Sequence, residues 1–306
     1  MSAVDGLAGR VRAAAPFGTD AGVDRSLLLL FPLIAYELLF FVAPFLILLR
    51  ISLAEPSTAG AYASGTWSIQ PYVDVLTSEF FLGVIAYSFK LGVISTVITV
   101  ALGTFYAYAI WRASGLYKSL LLFSIVLPLL TTLVIKTYAW LPLLAPTGTV
   151  NDLLLAANVL SSPVQFAPNT PGVVLGEVYI VLPYAVLAIY SVLSTMDWTV
   201  VEAARDLGAS RPRSFAEVVL PQAIPGIAVG TVVTFAWSVG AYAAPALLGA
   251  GSDRTFAIEV ESQMLSNFNW SVGTAFAVIM LVLMFVSSLA LFNLLNRWGG
   301  EVEYGA

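Results

Sequence analysis

Six apolar runs punctuate the chain, at about 27–49, 84–111, 120–144, 173–193, 223–248 and 272–295, the first ended by Arg50. Each has the length of roughly 20 residues that a helix needs to cross about 30 Å of hydrocarbon. The runs are continuous rather than alternating, which predicts helices and not the strands of an outer-membrane barrel. Several contain Gly and Pro, which membrane helices tolerate better than soluble ones. The first run has no Ala-x-Ala cleavage pattern and exceeds a signal-peptide core, so it reads as an anchor. The expected fold is an all-α integral membrane protein with six transmembrane helices.

The polar stretches between these runs differ in kind. Residues 1–26 form an Ala/Gly-rich tail and 298–306 a short second tail. The connection 50–83 contains an amphipathic run, Ile69–Phe81, suited to lying on the membrane surface. Residues 112–119 make a tight turn, and 145–172 carry Pro146, Pro163, Pro168 and Pro171 but no basic residue. Basic residues orient the chain. With the N-terminus inside, cytoplasmic segments hold Arg10, Arg12, Arg25, Arg112, Lys118, Arg205, Arg211, Arg213 and Arg297, and outer segments hold only Arg50 and Arg254. Both termini are therefore expected in the cytoplasm.

Composition agrees and removes chemistry. Of the 306 residues, 59% are hydrophobic and 10% charged, against about 25% charged in a soluble domain. Neither Cys nor His occurs, which excludes disulfides, thiolate or imidazole metal sites, Cys nucleophiles and Ser-His triads. A net charge of −5 gives nucleic-acid binding no electrostatic support.

The inside connection, 196–222, is unusual. Helix formers from Thr199 to Leu207 are followed by Gly208, a ready left-handed C-terminal cap. Ser210 suits an N-cap and Pro212 a first turn, so a second short helix is expected through Phe215–Leu220, stopping at Pro221. Val200, Ala203, Ala204 and Leu207 form one apolar stripe, and Phe215, Val218 and Val219 another. Two readings stand: the helices pack on the ends of their own spans, or they form a knob for a soluble partner's groove.

The string Glu202-Ala203-Ala204, then Gly208 after three residues, then Val218-x-Leu220-Pro221, resembles the EAA loop of ABC-importer permeases, with Val218 where Ile is usual. The likeness extends from about Tyr72 to Arg297, and the segments Pro128–Trp140, Gly176–Pro183 and Asn269–Ala275 are most similar to permeases of the spermidine/putrescine type. It implies a type I transmembrane domain over 84–297, preceded by the helix 27–49. It also implies coupling helices that dock on a cytoplasmic P-loop ATPase dimer through Glu202, Ala203, Ala204, Arg205, Gly208, Phe215, Leu220 and Pro221. Arg205, Arg211 and Arg213 equally suit meeting acidic groups of that partner or orienting the loop. A second permease subunit, a related chain or alternatively a second copy of this one, and an extracytoplasmic solute-binding protein complete the implied assembly, in the lipid of a prokaryotic inner membrane. No cofactor is expected on this chain: none of Lys90, Lys118 and Lys136 follows Gly, so no P-loop is present, and ATP and Mg belong to the ATPase. The chain is not expected to be an enzyme.

Ionisable and aromatic residues within the runs are the pathway candidates. Glu177 suits a cationic cargo or solvation at the interface. Lys136 and Tyr138 suit an aromatic belt or a gate lining. Trp237 and Tyr242 suit packing, lining or a cation-π cage for an amine. Glu37 suits a bond to a neighbouring helix, and Lys90 snorkelling. The implied cargo is a polyamine, with ferric iron, thiamine and phosphonate as alternatives. A secondary transporter usually shows internal repeats with broken helices at matching positions, but the two halves show no clear repeat and six spans is few; a channel needs a filter, and none is legible.

Overall fold

A computed structural model describes residues 25–57 and 61–298, and every regular element among them is helical. Five helices are long and apolar enough to cross a membrane, and a sharply bent pair makes a sixth. Contacts divide the chain after Leu48 into two compact units.

In the first unit, helix Arg25–Glu37 passes through a π-turn, Leu38–Val42, into helix Ala43–Ser52. The turn has a cause in the sequence. Pro44 has no N–H to give the carbonyl of Phe40, and its ring crowds that carbonyl. Widening the preceding turn, with the Ala43 amide bonded to Leu38 O, absorbs the mismatch. Phe31, Leu39, Phe40, Phe41 and Ile47 are exposed, as suits contact with lipid or another apolar surface.

The second unit is built around three helices that pack on one another: the second span, Glu79–Arg112; the fourth, Thr170–Leu193; and the fifth, Leu220–Val239. Between lipid-like surfaces the hydrophobic effect gives helices little reason to associate, so close packing of small residues must do it. Ala185 of the fourth span sits where the three meet. A Cβ on Gly103 would lie 3.1 Å from the Ala185 Cβ, and a Cβ on Gly230 3.4 Å from its Cα. One apolar core, including Ile110, Ile189, Leu193 and Val219, fills the end that carries the 196–222 loop. A second, including Phe81, Phe235, Phe276 and Met280, joins the sixth span, Trp270–Trp298, at the other end.

Four segments differ from the hydropathy reading. The third span is broken: Gly115–Leu130 and Leu133–Leu144 meet at 109°. Pro128 opens a 3-10 turn, and Thr131 and Thr132 are extended, so the intervening backbone cannot continue the helix. The apolar run 223–248 contains a second break. Its long helix ends at Val239, and a short helix, Ala243–Leu248, follows a turn. The Thr255 hydroxyl donates to Ala241 O at 2.9 Å in that turn.

The remaining two differences concern connections. The second loop helix does not stop at Pro221; Arg211–Val239 is one helix. A π-turn at Phe215–Val219, with Leu220 N–H bonded to Phe215 O, lets it pass the proline, repeating the device at Pro44. Helix Gln70–Thr77, in the run expected to lie on the membrane, packs against the sixth span, burying Pro71 and Val75 and leaving Val73 and Leu76 outward. The proline-rich connection is also folded. Buried Asn151 donates to Ala145 O and Val164 O at 3.0 and 2.9 Å and accepts from Val164 N at 2.8 Å.

Candidate functional site

The loop between the fourth and fifth spans is a capped helix with two differently used faces. The Asp197 carboxylate accepts from Thr199 N at 3.0 Å, satisfying a first-turn amide of helix Trp198–Asp206. That bond holds the Asp197 carboxyl below the usual range. At the far end the Gly208 amide donates to Arg205 O at 2.8 Å and the Ala209 amide to Ala204 O at 3.0 Å. This pair of bonds is the Schellman closure. Gly208 has φ +95°, and a Cβ there would meet nothing within 4 Å. Within this chain, the turn explains the glycine and a close helix approach does not.

The inward face of the helix is led by Val201, which is fully buried in the core shared with Ile189, Leu193 and Val219. Trp198 meets Trp111 edge-on at 5.0 Å. The guanidinium groups of Arg112 and Arg205 lie 5.6 and 5.3 Å from the Trp198 ring. Arg205 also donates a long bond of 3.5 Å to Ser214 Oγ, while its Nη2 is buried without a partner. Arg205 therefore braces the loop from within. Phe215 is turned inward too, stacked on Phe105 at 5.8 Å and edge-on to Tyr108 at 4.9 Å.

The outward face keeps Val200, Ala203 and Leu207 open, and Leu207 is 91% exposed. Glu202, Leu220 and Pro221 are exposed as well. The two apolar stripes thus have different fates. Phe215, Val218 and Val219 pack on the spans, while three of the four members of the first stripe are uncovered. Trp198 escaped the sequence reading. Its spacing of three from Val201 was the available signal for a second, inward stripe.

The pathway candidates also separate. Tyr138, Trp237 and Tyr242 line one cleft of about 580 Å³, with Leu133, Val134 and Leu247 among its walls. Trp237 stacks on Tyr184 at 5.2 Å. The cleft sits where both breaks occur, between the second leg of the bent span and the turn after Val239. A smaller neighbouring cleft of about 320 Å³ shares Tyr242 and is lined by Asp253, Arg254 and Glu261. Glu177 and Lys136 line neither. Lys136 is buried without an ion pair among the described residues. Glu177 is 2% exposed, inside the three-span core.

Residues 99–299 match the family described as binding-protein-dependent transport system inner membrane component. The chain is 31% identical over 248 residues to the spermidine/putrescine transport system permease protein PotB of Haemophilus influenzae, covering 81% of this chain and 86% of that one. It is 26% identical over 252 residues to PotB of Escherichia coli, covering 82% and 91%. Its fold is similar to a subunit in the crystal structure of a bacterial ABC transporter that imports the acidic polysaccharide alginate. There the TM-score is 0.73 and identity 18%, over 88% of this chain and 94% of that one. The chain belongs to the binding-protein-dependent inner membrane component family and is a multi-pass inner-membrane permease subunit of an ABC importer.

Proposed function

We propose that this chain forms half of the translocation pathway of an ATP-driven importer whose cargo is a polyamine of the spermidine/putrescine class. A related second permease subunit supplies the other half, and an extracytoplasmic solute-binding protein delivers cargo. A separate P-loop ATPase dimer, holding ATP and Mg, drives alternation between inward- and outward-facing states. The outward stripe Val200, Ala203 and Leu207, with Glu202 and Gly208 beside it, is the surface that meets the ATPase. Both termini lie on that cytoplasmic side.

One observation carries the coupling role. A helix in a polar loop, capped at both ends, leaves an apolar stripe uncovered while Val201 on its opposite face is fully buried. An apolar side chain such as Leu207 held in water is unfavourable by about 1.5–3 kcal/mol relative to burial, and a groove on a partner removes that penalty. The cargo rests on the likeness to the two PotB proteins. An aromatic cleft with Tyr138, Trp237 and Tyr242 suits an alkylammonium chain, which can lie against the rings along its length.

The test is recovery of the tagged chain from its native membrane in mild detergent, followed by reconstitution of what co-purifies. A P-loop ATPase, a second six-span subunit and ATP-dependent uptake of radiolabelled putrescine are expected. Recovery of this chain alone, with uptake that ignores ATP, would point to a channel or secondary carrier. ATP-dependent uptake of an anionic solute instead would overturn the cargo and leave the coupling role in place.

A further inference from the structure

Cations at the end of the bundle that carries the 196–222 loop are held in two ways. Arg213 pairs with Glu217 at 3.0 Å. Arg112, Lys118 and Arg205 have no carboxylate partner among the described residues and lie against aromatic rings instead. The Arg112 guanidinium is 5.8 Å from the Tyr108 ring and 5.6 Å from the Trp198 ring, and Lys118 Nζ is 5.5 Å from the Tyr190 ring. A ring face attracts a cation but leaves its N–H groups without strong acceptors. Among the described residues, hydrogen bonds from arginine side chains come from Arg50, Arg205, Arg213 and Arg254, and Arg112 makes none.

Arg112 borders a cavity of about 450 Å³, whose other walls are Trp111, Ala113, Ser114 and Trp198. It is the one ionisable residue in that lining. Ser114 precedes helix Gly115–Val126, yet its side chain caps no amide, so its hydroxyl is uncommitted. The carboxylate beside Trp198 in sequence, Asp197, is taken by the Thr199 amide. Glu202 and Asp206, further along the loop helix, are exposed and line no part of the cavity. Two indoles, an unpaired guanidinium and a free hydroxyl, with no acidic group in the lining, suit an anion whose oxygens can accept from the arginine fork. Phosphate is such a group.

The chain next to the cavity decides where that phosphate comes from. Leu116 and Tyr117 are 73% and 78% exposed, and Leu120 is exposed one turn later. Side chains of this kind at the end of a span are unfavourable in water and suit the interfacial layer of a bilayer, where Trp and Tyr gather. Basic pockets between spans at that depth fit phospholipid headgroups.

We propose that this cavity binds the phosphate of an anionic phospholipid. Arg112 donates to its free oxygens, Ser114 adds a hydroxyl, and the acyl chains run along Leu116 and Leu120. Arg112 ends the second span and Trp198 opens the loop helix, so one headgroup touches both and holds the loop helix against the span. The site depends on neither the cargo nor the ATPase.

The test is native mass spectrometry of the assembled complex released from nanodiscs of phosphatidylcholine with rising phosphatidylglycerol. Phosphatidylcholine carries the same phosphate with a cation attached, so it is the internal control. One phosphatidylglycerol per copy of this chain should be retained in preference to phosphatidylcholine. Arg112→Ala should weaken that binding about tenfold or more, and Arg112→Lys, which keeps the charge but not the fork, should fall between. Arg211→Ala removes an exposed cation outside the cavity and should change nothing; an equal loss there would reduce the effect to diffuse attraction and overturn the site. Equal retention of the two lipids, or unchanged retention in Arg112→Ala, would overturn it as well. A thermal midpoint that rises with inorganic phosphate in phosphatidylcholine alone, but not with added phosphatidylglycerol, would move the anion's source to solution and overturn the lipid assignment. Loss of ATPase binding by Arg112→Ala in phosphatidylcholine alone, with lipid retention unchanged, would assign the cavity to the ATPase instead. Should Arg112→Ala fail to assemble, Arg112→Lys and Ser114→Ala decide, and unchanged retention in both overturns the site.

Discussion

Leu207→Ala separates docking from folding. The side chain is 91% exposed at the end of the loop helix, so truncating it should leave the chain's own stability within about 0.5 kcal/mol. In a partner's groove the same truncation removes three buried carbons. At about 0.8 kcal/mol per carbon the loss is roughly 2 kcal/mol, which corresponds to about a 30-fold weaker Kd. The assay is a titration of the nanodisc-embedded permease pair with its purified ATPase subunit, read as Kd and as cargo-stimulated ATP hydrolysis, beside a thermal melt. Val201→Ala is the internal contrast. That side chain is fully buried on the opposite face, so its loss should lower the melting midpoint, by about 2 kcal/mol of stability from two buried carbons and the space they leave. A Leu207→Ala protein that binds the ATPase as tightly as wild type would refute the argument, because the uncovered stripe would then not be the docking face.

Three further expectations follow from described geometry. Gly208→Ala should weaken ATPase binding through the strain of φ +95°, worth about 1–2 kcal/mol. Gly208→Asn, which adopts the left-handed region more readily, should recover most of the loss; equal defects would show that the partner itself requires the bare backbone. Ala185→Leu should lower the melting midpoint by the equivalent of about 1–3 kcal/mol, because Gly103 and Gly230 close on Ala185 from two sides; an unchanged melt would mean that the three central helices are not in close contact there. Asp197 is held below the usual carboxylate range by the Thr199 amide. Its cap therefore contributes above the unfolded carboxylate range near pH 4 and is lost as pH falls through the lower folded value. Protection of the first-turn amides from hydrogen exchange should fall with acidification in wild type but not in Asp197→Ala; the same fall in both would remove the cap from the explanation.

The spans were legible because crossing hydrocarbon demands a long apolar run, and that demand is written in composition. What hydropathy does not register is backbone continuity. Residues 223–248 are apolar throughout, yet the chain breaks after Val239, since a broken helix buried against other helices needs no polar residue to mark it. Pro128 was visible, but proline is common in membrane helices, and only the extended backbone at Thr131 and Thr132 turns the third span through 109°. Pro221 misled in the other direction, because a π-turn before it keeps the helix whole. In the loop, the stripe Val200, Ala203, Ala204 and Leu207 was readable from its spacing. Which stripe stayed open was not, since that depends on Trp111, Arg112 and Ile189 arriving from distant parts of the chain. Glu177 announced itself as an ionisable group among apolar ones. Whether it lined a cleft or lay sealed between spans turned on which way the fourth helix faces.

The fusion of the loop's second half with the fifth span has a mechanical consequence. Arg211–Val239 is a single helix of 29 residues, about 43 Å long at 1.5 Å per residue. A rotation of about 5° at the loop end, pivoting there, displaces the far end by roughly 4 Å along an arm of that length. The far end carries Trp237, on the wall of the aromatic cleft. The arm has two compliant places, the π-turn at Phe215–Val219 and the interior Pro225, which has no N–H to give the preceding turn, and both lie nearer the loop than the cleft. On the proposed coupling role, motion received at the loop would arrive as displacement at the cleft, with Phe215 held against Phe105 and Tyr108 near the base of the arm.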